Sequence, residues 1–153
     1  MKPGSPDDPP ERGIPLVALE VAARYSPRSG RELEISGSRD ALLGFATSIE
    51  LPVLALRCSM RVPAGTAQPY DGFLSTLRIE ERDDSVQVAV NDDTLCIRGR
   101  RSLLAILAKN VRHVAGADAS GLDGRMRYHA HVEYYPGHFF LTPDSIPLII
   151  TQE

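Results

Sequence analysis

Apolar and polar positions alternate along the chain from Leu16 onward. Val17, Leu19, Val21 and Ala23 point one way in a period of two, which predicts a strand. The run SPRSG at 26–30 reads as a turn, and Glu32–Ile35 as a second short strand with Leu33 and Ile35 inward. The next stretch, SGSRDALL at 36–43, supplies a turn glycine and a serine able to cap a helix. Leu42, Phe45, Ala46 and Ile49 follow at helical spacing, so a helix is predicted at about 39–50. Residues 53–60 (VLALRCSM) fit a strand or a helix equally. Pro63, Gly65, Pro69 and Gly72 make 61–74 a loop. Thr76–Glu81 and Ser85–Asn91 read as a hairpin turning at Arg82, Asp83 and Asp84, with Val86, Val88 and Val90 toward the core.

The second half echoes the first. Leu33, Ile35, Gly37, Arg39, Leu42 and Ala46 recur 62 residues later as Leu95, Ile97, Gly99, Arg101, Leu104 and Ala108. A second echo, spaced by 60, relates Asp84, Ser85, Val86, Val88 and Val90 to Asp144, Ser145, Ile146, Leu148 and Ile150. These matches predict internal repeats at about 32–91 and 94–151, each a β-α-β-β unit. A second helix is expected at about 101–114, burying Leu103, Leu104, Leu107, Ala108 and Val111. After a loop at 116–124, Arg127–Tyr135 and Ile146–Thr151 are the closing strands. One such unit has an apolar sheet face and a single helix to cover it. Two units pairing edge to edge predict an α+β fold: a two-layer sandwich with a mainly antiparallel sheet and both helices on one face.

Composition narrows the function classes. With 153 residues, the chain suits one domain over 14–153, preceded by a Pro- and Asp-rich tail at 1–13 expected to be disordered. A net charge of −3 gives no electrostatic case for nucleic acid or an anionic membrane. The start lacks the apolar core of a secretory signal, and no run reaches the ~18 apolar residues of a membrane span, so a cytoplasmic location is expected. Cys58 and Cys96 are too few for a disulfide framework and read as reduced thiols acting as small hydrophobes.

Unusual side chains concentrate at 128–140. Three of the four histidines lie here, among Tyr128, His129, His131, Glu133, Tyr134, Tyr135, His138, Phe139 and Phe140. On a strand, His129, His131 and Glu133 share a face, with Ala130, Val132 and Tyr134 on the other. Such a row of His, Glu and Tyr suits protein recognition, since aromatic residues concentrate at binding hot spots. The partner-binding set is therefore Tyr128, His129, His131, Glu133, Tyr135, His138 and Phe139. An alternative gives the same region a zinc or other transition-metal site. His129 and His131, with Cα atoms roughly 6.6–7 Å apart, could share one ion. Glu133 would lie roughly 13 Å from His129, so a third ligand would have to be His138 or come from another strand. Pro136–Gly137 has type II turn chemistry. Arg39 and Arg101, just after a glycine at each helix start, suggest a structural ion pair or a held anion. No Gly-x-Ser-x-Gly elbow or phosphate loop is present, so catalytic residues are not assigned and an enzyme is not favoured.

Leu33, Ile35, Gly37, Arg39, Leu42 and Leu43 form a strand–Gly-x-Arg-x-x-Leu-Leu–helix opening. His129-x-His131 and Asp144–Ser145–Ile146-x-Leu148 follow later. Together they resemble a family of bacterial immunity proteins associated with polymorphic toxin systems, best over about 94–151. That resemblance implies a non-enzymatic antidote that binds a protein partner, a cognate toxin, and blocks it.

Overall fold

A computed structural model describes residues 16–27, 32–117 and 129–153. Expectations for 1–13 and most of 116–128, Tyr128 included, lie outside them. The strands are β1 (Leu16–Ala18), β2 (Ala22–Ser26), β3 (Glu32–Gly37), β4 (Ala55–Ser59), β5 (Gly72–Leu74), β6 (Thr76–Glu81), β7 (Gln87–Asn91), β8 (Thr94–Gly99), β9 (His129–Val132) and β10 (Leu148–Gln152). The helices are α1 (Arg39–Ile49) and α2 (Arg101–Gly116). The α+β class holds. In place of one continuous sheet, the described residues form two mixed sheets of five strands, ordered β1-β4-β6-β8-β7 and β5-β2-β3-β10-β9.

The first alternating run divides between them. Leu19 N still donates to Ser59 O at 2.8 Å beside β4, and Arg61 N to Val21 O at 2.9 Å; the chain then enters the second sheet as β2. Ser38 caps α1, its hydroxyl accepting from Ala41 N at 3.2 Å. Arg101 at the start of α2 pairs with Glu81 and donates to Leu51 O, which gives it the structural partner its position called for, whereas Arg39 is exposed. Residues 53–60 resolve as a strand because Leu56 and Cys58 face the core while Arg57 faces solvent.

The expected β6–β7 hairpin does not form. β8 lies between the two strands, parallel to β6 and antiparallel to β7. Residues 82–84 instead clamp the start of α2: Arg82 N donates to Gly99 O at 2.8 Å and Arg100 N to Asp84 O at 2.7 Å. The actual hairpin is β7–β8, turning at Asp92 and Asp93, with Asp92 at φ 56°.

Strand registers relate the two halves of the chain. Leu33, Ile35 and Gly37 of β3 oppose Leu148, Ile150 and Gln152 of β10. Leu95, Ile97 and Gly99 of β8 oppose Leu77, Ile79 and Glu81 of β6 in the same parallel sense. Antiparallel neighbours match as well: Tyr25 faces Leu33 and Ala23 faces Ile35, as Val90 faces Leu95 and Val88 faces Ile97. So β2-β3-α1-β4-β6 corresponds to β7-β8-α2-β9-β10. Each sheet joins the first two strands of one half to the last two of the other. Residues 84–90 and 144–150, read above as a matching pair, therefore occupy different places: β7 corresponds to β2, and β10 to β6.

The inner faces of both sheets and both helices bury one hydrophobic cluster, centred on Phe45, Leu33, Ile35, Leu42, Leu77, Leu95, Ile97, Leu107, Leu148 and Ile150. α1 and α2 pack more extensively on each other than on any strand. Among the described residues, no helix is long and apolar enough to cross a membrane.

Candidate functional site

Among the described residues, β9 is the last strand of the second sheet, paired with β10. Its alternation separates the faces: Val132 is buried and Ala130 packs on the core, while His129 and His131 are exposed. Their rings stand edge to face with centroids 5.3 Å apart. Glu133, just beyond, is exposed, and Tyr134 packs inward.

The chain then turns at Pro136–Gly137. His138 N donates to Tyr135 O at 2.9 Å and Gly137 has φ 87°, as a type II turn requires. His138 becomes the hub of the tip. Its ring centroid lies 4.7 Å from Tyr135, 5.8 Å from Phe139 and 4.6 Å from Phe140. Its Nδ1 accepts from Phe140 N at 3.2 Å and Leu141 N at 3.1 Å, which fixes the proton of the neutral ring on Nε2. Phe140 is thereby drawn into the core at 4% exposure. Tyr135 and Phe139 are left 57% and 68% exposed on the rim.

Between this tip, β9 and α2 lies an open cleft of about 450 Å³. His131, Glu133, Tyr135, His138 and Phe139 of the predicted set line it; His129 stands beside it on the strand face. Ile106, Asn110 and His113 of α2 form the opposite wall. Sequence reading missed these three. Their spacing places them on one side of α2, flanking the buried stripe of Leu104, Leu107 and Val111, and that was the available signal.

The metal set is not assembled. Among the described residues, no group of three or more His, Cys, Asp or Glu side chains converges as ligands. His138 has Nδ1 committed to the turn, apart from the His129–His131 pair. The cysteines are not primed as nucleophiles. Burial pushes the Cys58 thiol up to about 11 despite a hydrogen bond from Ser48, and burial raises Cys96 too.

A second cleft, of about 320 Å³, opens near the first sheet between Arg82, Gln87, Arg98 and Asp144. Its charges are mixed, and Gln87 and Thr142 already donate to Asp144 at 2.7 and 2.6 Å. Exposed aromatic rings distinguish the cleft at β9.

Residues 94–153 match the family model described as Immunity protein 32. The similarity covers less than half of the chain, and the matched segment contains β8, α2, β9, the tip and β10. No curated protein and no solved structure matches the chain.

Proposed function

We propose that the chain is a cytoplasmic immunity protein that neutralises a cognate bacterial toxin by binding it. The interface is the cleft between α2 and β9 together with the hairpin tip. Toxin inhibition follows from occlusion: a rigid surface covers the partner's working face and needs no chemistry of its own. One observation carries the reading. Tyr135 and Phe139 are large apolar side chains held in solvent at the rim of an open cleft, inside the segment similar to immunity proteins. Burying such rings at an interface recovers the hydrophobic free energy that exposure forgoes. His138 supports them from below, so little ordering is lost on binding.

The test takes as its probe any toxin domain that the gene neighbouring this chain's own encodes, with its catalytic residue inactivated for binding and intact for neutralisation. Wild type is expected to bind it and protect cells that express the active form. Tyr135→Ala and Phe139→Ala are expected to weaken binding about tenfold or more each, with folding retained. Absence of binding and protection by the wild type would sink the proposal.

A further inference from the structure

The imidazole of His138 is committed on one side only. Its Nδ1 accepts from Phe140 N at 3.2 Å and from Leu141 N at 3.1 Å, so the proton of the neutral ring sits on Nε2. The two ring nitrogens face opposite ways, and Nε2–H therefore points away from the backbone of the turn. The ring is half-buried and lines the cleft between the tip, β9 and α2. Among the described residues Nε2–H has no acceptor, yet it is not sealed from solvent: Arg98 Nε is the one buried side-chain nitrogen or oxygen there without a partner. The groups around the ring are known. Glu133 and His131 come from β9, Tyr135 from the turn, and Asn110 and His113 from α2. Tyr134 stacks beside the ring with centroids 6.3 Å apart.

We propose that the toxin places an oxygen acceptor, a carboxylate or a carbonyl, against Nε2–H of His138. This rests on the toxin-binding reading above and names the chemistry that its cleft selects. Covering Tyr135 and Phe139 drives water out of the cleft with them. Water satisfies Nε2–H in the free chain, and the toxin must do so in the complex. A donor buried there without an acceptor would forfeit about tenfold in affinity or more. A lysine or arginine cannot serve, because the ring's one acceptor nitrogen is already shared by two backbone amides. Glu133 lines the same cleft as an acceptor, so a cation of the toxin is drawn there and away from His138. The two positions thus make opposite demands, which fixes the orientation in which a partner fits.

The ring is followed by its nitrogen-15 resonances in the full chain at about pH 8, above the range in which imidazoles take up a second proton. The free chain is expected to carry the His138 proton on Nε2. A ring protonated on Nδ1 would overturn the proposal before any partner is added. The probe is then any toxin domain that the gene neighbouring this chain's own encodes, with its catalytic residue inactivated. In the complex the Nε2 proton is expected to exchange with water about tenfold more slowly or less. His138→Asn keeps an acceptor oxygen where Nδ1 stood and loses the donor. It is expected to retain the slow amide exchange of Phe140 and Leu141, and to bind about tenfold more weakly or worse. Should the asparagine variant lose the tip, exchange of the wild-type Nε2 proton decides alone. Alanine substitution of the toxin's Asp and Glu residues separates the two sources: loss of binding together with the slowed Nε2 proton at one position identifies a carboxylate, and at none a carbonyl. Wild-type binding with unchanged Nε2 exchange overturns the acceptor while toxin binding stands. A His138→Asn variant with an intact tip that binds as tightly as wild type does the same. A wild type that does not bind overturns both readings, so the two failures are separable.

Discussion

At the scale of single residues, two glycines separate packing from backbone freedom. Gly99 ends β8 where Val86 crosses it; a Cβ there would lie 2.8 Å from Val86 Cα, so backbone would have to move. Gly37 holds the corresponding place against Val21, where a Cβ would meet a methyl at 3.2 Å. Both valines are fully buried. Gly44 sits inside α1 with nothing within 4 Å of an added Cβ. Gly99→Ala is therefore expected to destabilise by about 1–3 kcal/mol through overpacking. Gly44→Ala should stabilise by about 0.5–1 kcal/mol, because alanine loses less backbone entropy in a helix. Urea unfolding of both variants checks this; a neutral Gly99→Ala would mean that β8 and Val86 separate easily. The recurrence of Gly37 and Gly99 was visible as spacing alone. Its reason, the crossing valine 16 or 13 positions earlier in the chain, was not, because periodicity carries no information about which strands cross.

Among elements, the helices were legible and the strand neighbours were not. α1 and α2 fall close to their expected limits because apolar spacing and a cap are local signals. Ser38 donates nothing to packing but satisfies Ala41 N, whereas Arg100 at the start of α2 makes no side-chain cap. Ser38→Ala should thus cost about 1 kcal/mol. Arg100→Ala, losing only an exposed pair with Asp83, should cost less than about 0.5 kcal/mol. Equal losses in thermal unfolding would show that capping is not what holds α1. The β6–β7 pairing failed as an expectation for a physical reason. A short polar turn permits a hairpin, but burying β8 on both sides places Leu95 and Ile97 in the core, and that non-local gain decides the neighbours. Much the same held at the candidate site. The His and aromatic cluster of 129–140 is contiguous in sequence and could be read. Its opposite wall, Ile106, Asn110 and His113, comes from a helix on the far side of residues 118–128 and required the fold.

For the molecule as a whole, the division of strands between sheets sets what can stand alone. The segment similar to immunity proteins, 94–153, contains β8, α2, β9 and β10, but these do not make a sheet together. β8 belongs between β6 and β7, and β10 between β3 and β9. Removing the first half would strip β8 of both neighbours and β10 of β3. It would also remove α1, against which α2 packs most extensively. Leu33, Ile35, Phe45, Leu77 and Ile79 would leave the common core with it. Burying each such side chain contributes about 1.5–3 kcal/mol, so losing these five alone removes a free energy comparable to the roughly 5–15 kcal/mol that typically holds a domain folded. A fragment of residues 94–153 is accordingly expected to lack a cooperative unfolding transition by circular dichroism and calorimetry. Mixing it with a fragment of residues 1–93, cut in the exposed β7–β8 turn, should restore one, since every missing neighbour is then supplied. A cooperative transition in the isolated second fragment would mean that its own strands can pair differently, and that the cleft lined by α2, β9 and the tip can form without the first half.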